Sequence, residues 1–129
     1  MLLAKFNAEH YDDYISRLQS QLKTREGDPE FTGYQRPTDN IFSNSKRILA
    51  ILCDMAGDGA NGSVKFCVTY DGKFEVRFNV YDMNLGYIRV EDAGFRLFNG
   101  YEKETKFVSS DYDTDTIKEQ LKKYMKNYL

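Results

Sequence analysis

The chain has no tryptophan, a single histidine, two cysteines and two prolines among its 129 residues. Each scarcity excludes something. No cysteine or serine is set beside His10 in a recognisable elbow or dyad, so nucleophilic catalysis of the familiar kinds finds no groups to use. His10 therefore reads as an ordinary helix-surface residue. Cys53 and Cys67 both lie inside apolar runs. They make neither a disulfide framework nor a zinc site, and read as reduced core thiols of a cytoplasmic protein. Basic charge is short as well: 18 Lys and Arg against 20 Asp and Glu leave a net charge of -2. That balance argues against the whole-molecule cationic field behind non-specific nucleic-acid binding. No window approaches the roughly 18 apolar residues of a membrane span, and the start of the chain lacks the features of a secretory leader, so no membrane partner is expected.

What is present suffices for one core. Hydrophobic residues make up 41% of the chain and aromatics 15%, at a length typical of one domain. A single domain over residues 1–129 is expected.

Between Asn7 and Lys23, Tyr11, Tyr14, Ile15, Leu18 and Leu22 fall on one helical stripe, with Asn7 placed to cap it. From Thr24 to Asp39 the chain is polar and broken by Gly27, Pro29, Gly33 and Pro37, which predicts a long ordered loop anchored by Phe31 and Tyr34. A second helix is expected from about Ile41 or Ser45 to Ala56, its last two turns apolar almost all round and therefore buried. Residues 57–62 then stop the helix and turn the chain into strands.

Alternation predicts the strands. Val64, Phe66 and Val68 share one face, as do Phe74, Val76, Phe78 and Val80. A two-residue turn at Asp71-Gly72 would drive Arg77 and Glu75 into the core. A three-residue loop with Gly72 left-handed instead pairs Val68 with Phe74, Phe66 with Val76 and Val64 with Phe78. The same test pairs Val80 with Ile88 and Phe78 with Val90, and then Ile88 with Leu97. A fifth strand is expected from Tyr101 to Val108, against which Lys103 counts because it would point inward. Ile117, Leu121, Tyr124, Met125 and Tyr128 predict a terminal helix after Asp113 or Thr114. The order is ααβββββα: an α+β fold in which an antiparallel meander of four to five strands carries helices on one face. Phe66, Phe74, Val76, Phe78, Ile88, Leu97, Leu52 and Leu121 are the expected core.

Groups for catalysis are scattered. Asp12 and Asp13, Glu102 and Glu104, and Asp111, Asp113 and Asp115 read as solvated or helix-capping carboxylates. The segment Asp54 to Gly62 evokes a calcium loop but lacks the alternating ligand spacing and closing glutamate, and it is no phosphate-binding glycine loop. No catalytic residue, cofactor site or metal site is expected.

The outer face of the meander remains. On the expected registers, Lys65 faces Arg77, Asn79 and Arg96 flank Arg89, and Tyr81 faces Tyr87, which can reach Phe98. Like charges set opposite one another cost stability unless carboxylates or an anionic partner relieve them. Two readings follow. Either the face is merely solvated, with Arg77 paired to Glu91 and Arg96 to Glu102, or it recognises a partner. For recognition the expected residues are Lys65, Arg77, Asn79, Tyr81, Tyr87, Arg89 and Arg96, joined by Phe31, Tyr34 and Arg36 of the long loop. The favoured function is a small non-enzymatic interaction protein of regulator, inhibitor or immunity type that binds an acidic protein surface. The second is a single-stranded nucleic-acid binder using Tyr81, Tyr87 and Arg89; the third is an enzyme assembled from carboxylates and tyrosines. On the first reading, reversing Arg77, Arg89 and Arg96 together should abolish binding and spare stability.

Overall fold

The computed structural model describes residues 8–24, 35–56 and 64–129. Three helices, α1 (Ala8–Thr24), α2 (Asp39–Ala56) and α3 (Thr114–Tyr124), accompany five strands: β1 (Val64–Val68), β2 (Phe74–Phe78), β3 (Gly86–Glu91), β4 (Gly94–Asn99) and β5 (Glu104–Ser109). The strands form one antiparallel sheet in chain order, and the order α1, α2, β1 to β5, α3 matches the α+β expectation. Asn7, His10's side chain, Phe31, Tyr34 and residues 57–62 lie outside what is described.

Strand parity builds the core. Val64, Phe74, Val76, Phe78, Ile88, Val90, Phe95, Leu97 and Val108 are buried against Ile48, Leu49 and Leu52 of α2 and Ile117 and Leu121 of α3, while Ile15 of α1 joins the same cluster. Of the expected core, only Phe66 is half-buried, packed at its margin. Asp113 caps α3 by accepting the Thr116 N–H at 2.7 Å, and hydrogen bonding from the Thr116 hydroxyl first, then from that N–H, holds its carboxyl below the usual carboxylate range. α2 starts earlier than expected. Thr38 Oγ1 accepts the Ile41 N–H at 3.2 Å, and the helix opens at Asp39, two residues after Pro37.

The first hairpin has the expected register, with Gly72 at φ 78°. The second does not. Val76, not Val80, faces Ile88; Phe74, not Phe78, faces Val90. Both registers keep the apolar residues on one face, so alternation cannot separate them. Asn79 decides: it turns left-handed at φ 56° and ends β2 at Phe78. Opposite Phe78 stands Gly86, where a Cβ would lie 2.4 Å from the Tyr128 ring, which is itself stacked on Phe78 at 5.5 Å. Only glycine leaves room for that ring. β3 and β4 pair Ile88 with Leu97 as expected. β5 begins later than Tyr101 because residues 101–103 form the turn, and Lys103 there has φ 53° rather than pointing inward. Lys106 is the inward-register lysine, facing Leu97, and it escapes over the Tyr124 ring at 5.6 Å.

Each end of the sheet is clamped by polar groups. At one, Asn44 donates to the carbonyls of Glu91 and Asp92, Thr38 bonds Asp92, and Arg47 donates to the carbonyls of Ser110 and Tyr112. At the other, the Tyr128 hydroxyl donates to the Asn84 carbonyl at 2.7 Å and accepts the Gly100 N–H at 2.9 Å. Buried Asn99 ties Tyr124 and Asn127 to the Tyr101 turn.

Candidate functional site

The face of the sheet turned away from the helices carries two cross-strand rows. One runs Cys67, Glu75, Arg89, Arg96, Phe107; the other runs Lys65, Arg77, Tyr87, Phe98, Thr105. The corrected second hairpin is what assembles them. Arg89 faces Glu75 rather than Asn79, and Tyr87 faces Arg77 rather than Tyr81.

Glu75 is the hub. Its residue is only 2% exposed, yet it lies on the outer face, because two guanidiniums close over it. Arg77 Nε donates to Oε1 at 2.8 Å and Arg89 Nε to Oε2 at 2.6 Å. Arg96 makes the equivalent contact with Glu91, Nε to Oε2 at 2.9 Å. These bonds differ from the expected pairings of Arg77 with Glu91 and Arg96 with Glu102; Glu102 instead meets Lys126 at 3.1 Å. The reason is register. Glu75 neighbours Arg77 two residues along one face and Arg89 directly across it, so no long side chain has to reach past another.

The aromatic groups complete the lattice. Tyr87 and Phe98 stack at 5.3 Å, the Arg89 guanidinium lies 5.2 Å from the Tyr87 ring centre, and Arg96 lies 5.3 Å from that of Phe107. Arginine charge is reinforced throughout. The hydrogen bond to Glu75 raises the Arg77 pKa above its ordinary value, the one to Glu91 does the same for Arg96, and at Arg89 burial, the largest single influence, opposes a rise that Glu75, Tyr87 and Asp71 together produce.

Three arginines thus share two carboxylates, and Lys65 forms no ion pair among the described residues. The face keeps a surplus of positive charge. Each guanidinium side chain remains 35–39% exposed, held in place but reachable.

Of the other expected site residues, Tyr81 leaves the face. It sits in the β2–β3 loop with 89% of its surface exposed, beside Met83 at 99%. Asn79 also leaves, its amide 3.3 Å from the Tyr101 hydroxyl. Half-buried Arg36 lies beyond the face, where Gln35 and Arg36 pack on Gly72 of the β1–β2 turn. Cys67 is not a core thiol: it occupies the outer row, half-buried, and burial pushes its pKa up. Sequence reasoning missed Glu75 as the organising group. Its parity with Arg77 was the signal, but its partner across the hairpin depended on where β2 stops.

Among the described residues no cluster of His, Cys, Asp and Glu could hold a metal ion, and no helix is long and apolar enough to cross a membrane. No protein-family model, curated protein or solved structure matches the chain.

Proposed function

We propose that the protein is a small, non-enzymatic, cytoplasmic binding module, a regulator or inhibitor of a protein partner, whose working surface is the outer sheet face. The observation that carries this reading is the arginine lattice. Arg77 and Arg89 are locked on a buried carboxylate and Arg96 on Glu91, with their outer edges exposed. Arginines are favoured where binding energy concentrates, and holding them in advance removes much of the ordering entropy that binding otherwise costs. The surplus positive charge selects a partner with acidic groups, whose carboxylates would meet the free guanidinium edges in paired hydrogen bonds.

The aromatic arrangement favours protein over single-stranded nucleic acid. Base stacking needs bare ring faces. Here the Tyr87 ring is already engaged by Phe98 and by the Arg89 guanidinium, and Phe107 is partnered by Arg96.

The test compares two probes on the folded protein, an Asp/Glu-rich peptide and an oligothymidylate. The expected result is peptide binding that Lys65→Glu and Arg96→Glu abolish, with the oligonucleotide bound weakly or not at all. Tight oligonucleotide binding with a steep salt dependence would overturn the reading in favour of nucleic acid. Arg77 and Arg89 are left intact in this test because reversing them strips Glu75 of both partners and reports on folding.

A further inference from the structure

β5 is a sheet edge. β4 pairs with one side of it, and among the described residues nothing pairs with the other. The Ser110 N–H donates to the Ala93 carbonyl at 2.9 Å, so residues 104, 106 and 108 aim their backbone groups at β4. By the antiparallel alternation, Thr105, Phe107 and Ser109 aim theirs outward. Glu104 to Phe107 are all exposed.

We propose that this edge pairs antiparallel with the β5 edge of a second copy of the chain, about a twofold axis through Phe107. The two five-stranded sheets then become one. Side chains keep to matching faces only if paired residues share parity, so the axis must pass through a residue. An axis at Thr105 draws in Lys103, which φ 53° removes from the strand. An axis at Lys106 sets lysine against lysine, which is repulsive. An axis at Phe107 pairs that ring with its own copy, Thr105 with Ser109, and Lys106 with Val108. The first is an aromatic pair, the second a hydroxyl pair, and neither opposes like charges.

The backbone agrees with this register. Phe107 exchanges both its groups with the second copy's Phe107, and the Ser109 N–H reaches the second copy's Thr105 carbonyl. The Thr105 N–H in turn meets the second copy's Ser109 carbonyl, whose two lone pairs serve it beside the Tyr112 N–H at 3.3 Å. Lysines on an edge usually deter pairing. Lys106, however, directs its ammonium over the Tyr124 ring on the helix side, away from the edge. Pairing of outer face on outer face is disfavoured by their shared positive surplus.

In the dimer the row Cys67, Glu75, Arg89, Arg96, Phe107 runs on into its copy, so the two faces form one surface. A contact of one strand and its nearest side chains is smaller than the roughly 1,200 Å² of a standard stable interface, which makes this a weak, concentration-dependent dimer.

Sedimentation equilibrium of the full chain from about 1 µM to about 1 mM, a range that spans micromolar to millimolar association, tests the proposal. The mass is expected to rise from 15.0 kDa toward twice that value. Phe107→Lys, which replaces the ring pair by opposed charges, should move the midpoint at least roughly tenfold to higher concentration. Hydrogen exchange on the unaltered protein supplies an independent arm: the Phe107 and Ser109 amides should slow with rising concentration while that of Val108 stays constant. A mass of 15.0 kDa throughout, a dimer that Phe107→Lys leaves intact, or concentration-independent exchange at Phe107 overturns the proposal. If Phe107→Lys does not fold, the exchange pattern decides.

Discussion

The two faces of this sheet come from alternate residues of the same five strands, and both exclude water from a central residue, but by different means. On the inner face Phe78 is fully buried by Gly86, Tyr128 and the helices. On the outer face Glu75 is buried to 2% with no helix over it among the described residues, held beneath the guanidiniums of Arg77 and Arg89. Apolar burial is non-directional and tolerates small adjustments. An ion cluster depends on geometry, and fails if one partner is removed. The inner face therefore holds the fold, and the outer face holds three charges in a fixed pattern.

Mutations on the two faces should separate these roles. Phe78→Ala is expected to have the largest effect, a loss of about 3–5 kcal/mol in denaturant unfolding from lost burial and the cavity left behind. Replacing Arg77 and Arg89 together by alanine takes from Glu75 both its hydrogen-bonded partners and the side chains that cover it. The expected loss is roughly 2–3 kcal/mol, below that of a fully buried pair because both guanidiniums keep about a third of their surface in water. If the double variant is as stable as the parent, the outer face is only solvated and the comparison collapses.

Tyr128→Phe removes the hydroxyl that serves Asn84 and Gly100, and should cost about 1–3 kcal/mol. It carries a pH signature as well. Burial raises the Tyr128 pKa above its ordinary value, so folding favours the neutral phenol. Its contribution is complete below the unfolded tyrosine pKa of about 10 and is lost as pH rises through the higher folded value. Melting temperature against pH should fall less steeply above pH ~10 in Tyr128→Phe than in the parent. The smallest change is expected from Arg96→Ala, under about 1 kcal/mol, since both Arg96 and Glu91 are partly exposed and stay solvated when separated. That contrast between a small folding effect and a large binding effect is what the proposed function requires.

Much of this was legible in the residues. Parity put Phe74, Val76 and Phe78 inside and Arg77, Tyr87 and Arg89 outside, because a period of two is imposed by the pleat itself. The length of β2 was not legible. Shifting its pairing by an even number of residues preserves parity, and the stop at Phe78 rests on the left-handed backbone of Asn79 and on a ring from Tyr128, far away in the chain. The candidate site inherited that blind spot. Its members were identified by type and face, but the Glu75 hub required the register, and Tyr81 and Asn79 were carried off by the loop.

Strand order has a kinetic consequence. Every strand pairs with its predecessor in the chain, so the sheet can zip up from successive hairpins, each closing a short loop at little entropic expense. Contacts spanning long stretches of chain include those of the clamps, Arg47 to Ser110, Asn44 to Glu91 and Tyr128 to Asn84, and the packing of α2 on the sheet. Folding should therefore show a fast phase in which the meander pairs and a slower one in which α2 and the Tyr128 segment dock. Until that second phase finishes, the apolar side of the sheet stands open to water, the interval in which the chain is most prone to aggregate.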